Sequence, residues 1–265
     1  MSQKKKKNSN YKTNVPKAAE EKKSAGHKGL KTALIITGVI LLISVISIFF
    51  YLRGAYQPND DALEQLRSDD LITVRQEDGQ TVFAPKEATT GFIFYPGANV
   101  EHTAYAPMAA WMAREGIFCV LVDSPLNHAF MDVDAADDII AANPQITNWY
   151  VGGHSLGGAM AAKYADQNAD KLEGLILLAS YSTEDLTDTD LKALTIYGDR
   201  DKVLNLKKYD KNLSNLPEGC EEIVIPGGNH AYFGSYGDQK GDGISNISSY
   251  VQTKITAEHI LEFMK

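Results

Sequence analysis

Residues 150–158 read YVGGHSLGG, and this stretch decides the fold because it predicts a strand that turns directly into a helix at Ser155. Apolar residues at 149–151 are typical of a buried strand, and the alanine-rich run at 159–164 favours a helix. Gly153 and Gly157 flank the serine at positions where a Cβ would collide with the neighbouring strand and helix. This G-x-S-x-G pattern pushes the hydroxyl out of the backbone, so Ser155 is the candidate nucleophile.

The size and charge of the chain indicate one folded domain with a chemically different amino-terminal part. A length of 265 residues is sufficient for one α/β domain with a large core. Residues 1–32 contain ten lysines and two glutamates, a charge of +8, which leaves −16 on the remainder because the whole chain carries −8. Cys119 and Cys220 are too sparse for a disulfide framework, and we expect two unpaired thiols.

The amino-terminal part predicts a membrane anchor. Residues 1–32 are basic and have almost no apolar periodicity, which indicates a tail. Residues 33–52 contain no charge, and about twenty apolar residues suffice to cross ~30 Å of hydrocarbon. The lysine excess before this transmembrane helix predicts a cytoplasmic amino terminus, with everything beyond Tyr56 outside the cell. The basic run is therefore interpreted as a topology signal, and nucleic acid is not an expected partner.

The end of the predicted anchor leaves one alternative open. A cleavable signal peptide would normally have a shorter apolar run, but the small residues Gly54 and Ala55 are compatible with cleavage. Residues 53–70 are expected to form a juxtamembrane linker with a weak helical face.

From residue 71 to residue 265, buried strands alternate with helices. The first two strands, 71–76 and 81–83, are joined through Asp78-Gly79 and predict a hairpin. The later predicted strands are 92–95, 117–122, 149–151, 175–179, 194–197 and 223–225. Helices are predicted near 105–112, 135–142, 159–164 and 204–213 and at the carboxyl terminus. Strands buried on both faces and alternating with helices indicate an α/β domain with a mostly parallel sheet.

A serine hydroxyl is a poor nucleophile, so Ser155 requires a histidine base and a carboxylate that orients that base. For this kind of elbow the chain order is nucleophile, acid, histidine. His230 satisfies this order and follows the strand 223–225 at its carboxyl end, where open α/β sheets place their chemistry. The other five histidines are set aside because they lie in the tail (His27), before the elbow (His102, His128), beside the nucleophile with the side chain pointing away (His154), or in the last helix (His259).

The acid is expected on the loop after the strand 194–197, which offers two carboxylates. Asp201 is favoured because the chain there comes round toward the next loop. Asp199 follows the turn glycine closely and is better placed to cap the turn or pair with Arg200. Glu184 and Asp185, after the preceding strand, are a more distant alternative.

Two backbone N–H groups are needed to stabilise the oxyanion of a tetrahedral intermediate. The first is expected from Leu156, which follows the nucleophile at the start of a helix whose dipole favours an anion. The second is expected from the loop after the strand 92–95, where Ala98 is the best candidate and Asn99 its neighbour.

Four motifs resemble the α/β-hydrolase superfamily, and more narrowly the small, single-domain, dienelactone-hydrolase-like bacterial hydrolases, over residues 71–265. They are Tyr95-Pro-Gly-Ala98, Gly153-His-Ser-Leu-Gly157, Gly198-x-x-Asp201 and Gly227-Gly-Asn-His230. The resemblance implies about eight strands in the order 1-2-4-3-5-6-7-8, with helices on both faces. It also implies a Ser-His-Asp triad that acts on esters or related acyl bonds without a cofactor. Dienelactone hydrolases proper carry a cysteine nucleophile, so their lactone substrate is not carried over to Ser155.

The sequence therefore predicts a membrane-anchored, outward-facing serine hydrolase of the carboxylesterase type that acts on a small acyl substrate. The alternatives are an acyltransferase with the same triad and a non-catalytic binding module on the same fold. Asp238 and Asp242 do not have EF-hand spacing, so their Gly-rich segment is interpreted as a flap beside His230 and no metal is expected. The connection 180–193 is too short for a large lid, which favours an open site and short acyl groups.

Overall fold

The computed structural model describes residues 30–45, 47–48, 54–77 and 79–265, and these residues fall into two units, one before residue 54 and one from 54 to 265. In the first unit, residues 30–45 and 47–48 are helical. The predicted tail up to residue 29 and positions 46 and 49–52 of the predicted span lie outside the described residues. Among the residues that are described, no helix has both the length and the apolar character needed to cross a membrane.

In the described residues of the second unit, eight strands form one central sheet. The strands are β1 Ile72–Glu77, β2 Gln80–Pro85, β3 Thr90–Tyr95, β4 Phe118–Val122, β5 Asn148–His154, β6 Gly174–Leu178, β7 Lys192–Gly198 and β8 Glu221–Ile225. Their order is β1-β2-β4-β3-β5-β6-β7-β8, and all neighbours are parallel except β1 with β2 and β2 with β4. This confirms the predicted α/β-hydrolase fold, including the strand order. Asp78 of the predicted turn lies outside the described residues.

Helices cover both faces of the sheet because β3 and its neighbours bury side chains on both sides. The helices are α1 Asp60–Glu64, α2 Ala106–Arg114, α3 Ala135–Ala142, α4 Leu156–Gln167, α5 Leu206–Asn212 and α6 Ser249–Phe263. Phe92 and Phe94 of β3 belong to one core, with α2 and α6, and Ile93 and Tyr95 belong to another, with α4. The alternation along β3 reflects the period of two in a strand. Burial on both faces holds the carboxyl ends of the strands, where the candidate site lies, in a rigid frame.

The second unit begins at Gly54 rather than at residue 71, so it includes most of the segment expected to be a linker. The N–H of Tyr56 donates to the carbonyl of Asn99 at 2.8 Å, and the N–H of Asn59 donates to the carbonyl of Ser235 at 2.8 Å. The Asn59 side chain also caps α1 by accepting from the N–H of Ala62, which is completely buried. Besides these hydrogen bonds, Tyr56 and Leu66 pack against the core, so the segment belongs to the folded unit.

The two cysteines are free, as the sequence indicated. Cys119 is buried in β4, and Cys220 lies just before β8. In the strand order β4 and β8 are separated by four other strands, so the two thiols cannot meet.

Candidate active site

Ser155 occupies a strained corner between β5 and α4. Its φ of 52° and ψ of −121° are sparsely populated by residues that have a side chain, and such a conformation costs about 1–3 kcal/mol. The surrounding backbone maintains it, because the N–H of Ser155 donates to the carbonyl of Leu178 at 2.9 Å. In addition, the hydroxyl of Ser180 donates to the carbonyl of Ser155 at 2.6 Å. The strained conformation and the contacts that hold it match the sharp strand-to-helix turn that the G-x-S-x-G pattern predicts.

Gly153 and Gly157 allow the strand and the helix to approach each other at this corner. A Cβ at Gly153 would lie 2.5 Å from the carbonyl carbon of Gly157. A Cβ at Gly157 would collide with the carbonyl oxygens of Tyr95 and Pro96 at the end of β3. These collisions explain why glycine occupies both flanking positions of the G-x-S-x-G pattern, as inferred from the sequence.

His230 and Asp201 are joined by a hydrogen bond of 2.7 Å between Nδ1 and Oδ2. Both residues are almost completely buried, with 1% and 4% of their surfaces exposed. The other carboxylate oxygen, Oδ1 of Asp201, accepts from the N–H groups of Val203 and Leu204, each at 2.8 Å. The acid is thus fixed by two loop amides and orients the imidazole, whose Nδ1–H donates to it.

Nε2 of His230 is buried and has no hydrogen-bond partner among the described residues. With the proton of neutral His230 on Nδ1, Nε2 carries the lone pair and can accept a proton from a hydroxyl. Ser155 and His230 line the same cleft, so the elbow and the base face one space.

The alternative carboxylates are engaged elsewhere. Oδ1 of Asp199 accepts from the N–H of Gly227 at 2.8 Å, and its half-exposed side chain lies 3.7 Å from Arg200. Oδ1 of Asp185 accepts from the N–H and the hydroxyl of Thr187. Glu184 lies next to the hydroxyl of Thr183. In the described part of the chain, Asp201 is the carboxylate hydrogen-bonded to His230.

The loop after β3 has one N–H group left free. The N–H of Gly97 donates to Oη of Tyr105 at 3.1 Å, and that of Asn99 donates to the carbonyl of Asn127 at 2.9 Å. Pro96 has no N–H, so within the described residues Ala98 has the unused donor of this loop. The N–H of Leu156 at the start of α4 is similarly unused, and Leu156 lines the cleft, whereas Ala98 lies beyond its boundary.

His154 lies against the candidate base, a position that the sequence did not suggest. His154 is 1% exposed, its ring centroid lies 4.5 Å from that of His230, and its Nδ1 forms a hydrogen bond of 2.8 Å with the hydroxyl of Tyr105. Burial, and secondarily the charge that His230 can carry, hold the pKa of His154 well below its ordinary value. Tyr105 thus joins His154, at the end of β5, to Gly97 in the loop after β3, and the pairing of β3 with β5 brings these two segments together.

The cleft has a volume of about 320 Å³ and is lined mainly by apolar and neutral side chains. Its lining residues are Ser155, Leu156, Ala159, Ala179, Ser180, Tyr181, Thr183, Val203, Leu204, Asn205 and His230. The connection from β6 to β7 contributes part of this lining and contains no helix, since residues 180–191 are described as turns and coil. Throughout the described residues, no group of three or more His, Cys, Asp or Glu side chains is arranged to hold a metal ion.

Comparison with known proteins gives one family. The sequence model of the family described as "Alpha/beta hydrolase family" matches residues 91–254, which is more than half of the chain. No curated protein matches the sequence.

Solved structures with a similar fold include three of low sequence identity. A predicted CIB-like hydrolase from Thermoplasma acidophilum has a TM-score of 0.55 at 15% identity and covers 72% of this chain and 99% of its own. A membrane phospholipase A, described as a bacterial virulence factor, has a TM-score of 0.55 at 12% identity and covers 91% and 98%. Est1E from Butyrivibrio proteoclasticus has a TM-score of 0.53 at 15% identity and covers 74% and 99%. At these identities the likeness concerns the fold.

Proposed function

Since the chain belongs to the alpha/beta hydrolase family, we propose that it is a serine hydrolase that cleaves short acyl esters through Ser155, His230 and Asp201. The observation that carries this proposal is the 2.7 Å hydrogen bond between His230 and Asp201, with the base and Ser155 lining one cleft. A base oriented by a buried carboxylate and facing a strained serine is the arrangement that acyl transfer requires.

In the proposed reaction, Nε2 of His230 takes the proton of the Ser155 hydroxyl while Oγ attacks the ester carbonyl carbon. The carbonyl oxygen becomes an oxyanion, which the N–H groups of Leu156 and Ala98 stabilise. Collapse of this intermediate breaks the bond to the alcohol, which leaves with the proton from His230. Water, deprotonated by His230, then attacks the acyl-enzyme and releases the acid and free Ser155.

The cleft supports a small acyl group as the substrate. Its volume of about 320 Å³ is near the lower end of ligand sites in proteins, about 300 Å³. Apart from His230, its lining carries no ionisable side chain except the phenol of Tyr181. Such a lining suits a neutral acyl group better than a charged one.

The proposal is tested by labelling with a fluorophosphonate, together with hydrolysis of p-nitrophenyl acetate. The wild-type protein is expected to be labelled and to release p-nitrophenol, and Ser155→Ala is expected to lose both activities while keeping its thermal unfolding midpoint. Ser182→Ala is the matched control, because Ser182 is buried and its hydroxyl exchanges hydrogen bonds with the backbone of the nearby Glu184, to whose carbonyl it donates and from whose N–H it accepts. Labelling of Ser155→Ala at the wild-type rate would contradict the proposal, and absence of labelling of the wild-type protein would favour a binding module.

Analysis of the products formed from p-nitrophenyl acetate, with and without an added alcohol or amine, separates hydrolysis from acyl transfer. A hydrolase yields the free acid at the same rate with or without an added alcohol or amine. An acyltransferase would convert the acceptor into a new ester or amide in preference to water.

We also propose that the domain is anchored in the cell membrane with its active site outside. The support is the uncharged stretch 33–52 preceded by ten lysines, a pattern that predicts a cytoplasmic amino terminus.

A further inference from the structure

The segment after His230 contacts both the loop that carries the acid and the loop that carries the base. It comprises residues 235–246 and contains Asp242, whose side chain lies between the loop of Asp201 and the loop of His230. Asp242 does not line the cleft, and both of its carboxylate oxygens accept hydrogen bonds from backbone N–H groups. Its contacts are therefore with the protein alone.

Each carboxylate oxygen of Asp242 serves a different loop. Oδ2 accepts from the N–H of Ala231, the residue after His230, at 2.9 Å. Oδ1 accepts from the N–H of Lys202, the residue after Asp201, at 3.2 Å, and from the N–H of Gly243 at 2.7 Å. A carboxylate can hold both loops because both of its oxygens accept, and hydrogen bonds to an ionised acceptor are about twice as strong as neutral ones.

The neighbour of Asp242 is packed equally tightly. A Cβ at Gly243 would collide with the carbonyl oxygen of Arg200, the residue before Asp201. The carbonyl of Gly243 accepts from Nδ2 of Asn229, the residue before His230, at 3.0 Å. Residues 242 and 243 thus contact both sides of the acid and both sides of the base.

We propose that Asp242 is a positioning residue that holds the acid loop and the base loop at the separation required by the His230–Asp201 hydrogen bond. This inference rests on the proposed triad. Without Asp242, the two loops are joined farther from the reacting atoms, by Asp199 to Gly227 and by Arg200 to Gly228. A shift of about 1 Å at His230 can lower the rate about 100-fold, because proton transfer depends on geometry.

The test compares two substitutions of Asp242 with one matched control. Asp242→Asn keeps the volume but has one acceptor oxygen, so it can hold only one loop, and Asp242→Ala holds neither. Asp238→Asn is the control, because it removes the same charge from the same segment. The side chain of Asp238 accepts a hydrogen bond of 2.9 Å from the exposed hydroxyl of Tyr232. The measurements are kcat and KM for p-nitrophenyl acetate, the rate of fluorophosphonate labelling and the thermal unfolding midpoint.

We expect kcat and the labelling rate to fall about 10-fold in Asp242→Asn and about 100-fold in Asp242→Ala, with KM unchanged, and Asp238→Asn to behave as wild type. If Asp242→Ala does not fold, Asp242→Asn decides alone. An unchanged kcat in Asp242→Asn, with or without a lower midpoint, overturns the inference, and so does a rise in KM alone. Failure of the wild-type protein to be labelled would instead reject the proposed triad, so the two failures are distinguishable.

Discussion

Asp201 and Asp199 lie two residues apart in the loop after β7, yet their carboxylates bind different groups. Asp201 contacts His230, and Asp199 contacts the N–H of Gly227. Asp201→Asn is expected to lower kcat by about 10³ to 10⁴, because the amide favours the wrong imidazole tautomer. In Asp199→Asn the amide oxygen can still accept from Gly227, so the expected loss is about fivefold or less. Steady-state kinetics of both variants checks this, and the reverse ranking would reassign the acid.

His154 gives a prediction for the pH dependence of stability. Its pKa is lowered in the folded protein by burial and by the charge of His230, whereas an unfolded histidine titrates near pH ~6.5. Below that pH, unfolding is therefore accompanied by the uptake of a proton at His154. The contribution of this histidine to the free energy of unfolding is fully present above pH ~6.5 and is lost as the pH falls.

The substitution His154→Gln is expected to flatten this dependence. Between pH 6.5 and 5, the slope of the unfolding free energy should decrease by up to about 1.4 kcal/mol per pH unit. Urea denaturation at several pH values measures this slope, and His259→Gln, in α6, is the matched control. Equal slopes in wild type and His154→Gln would show that His154 is protonated in the folded state.

At the scale of elements, the sequence predicted the strands and helices of the second unit but not where the strands end. The predicted strand 194–197 extends over Lys192–Gly198, and the predicted strand 223–225 begins at Glu221. Lys192 and Glu221 are exposed, yet each is paired with the neighbouring strand, Lys192 with Gly174 and Glu221 with Leu194. Apolar runs mark the buried part of a strand, whereas its ends depend on backbone hydrogen bonds that any side chain permits.

The contacts of the candidate site depended even more on the tertiary fold. The sequence placed Asp201 and His230 on loops at one edge of the sheet, because the carboxyl ends of parallel strands share that edge. It interpreted the segment of Asp242 as a flap beside His230, but it gave no indication that Tyr105 reaches His154 or that Asp242 reaches the residue after Asp201. Tyr105 and His154 are 49 residues apart and Asp242 and Lys202 are 40 residues apart, so these two contacts form only when the sheet is assembled.

At the scale of the whole molecule, the charge asymmetry of the chain predicts a topology. Protease added outside intact cells is expected to remove the domain from Tyr56 onward and to leave the lysine-rich tail protected. An epitope at the amino terminus and antibodies against the domain would follow the two parts by immunoblotting. Permeabilised cells provide the control, since both parts become accessible there. Protection of the domain in intact cells would invert the topology.

The dimensions of the cleft predict how activity depends on acyl chain length. Each methylene buried in the transition state would contribute about 0.8 kcal/mol and raise kcat/KM about fourfold, but only while the cleft has room for it. A cleft of about 320 Å³, bordered by a connection without a helix, fills after the first few carbons. For p-nitrophenyl esters of two to sixteen carbons, kcat/KM is therefore expected to stop rising near four carbons, with no activation by lipid vesicles. The purified full-length chain and Ser155→Ala should be measured in parallel, so that spontaneous hydrolysis of the short esters is subtracted. A steady rise to sixteen carbons, or a large activation by vesicles, would mean that the acyl chain binds along a surface outside this cleft.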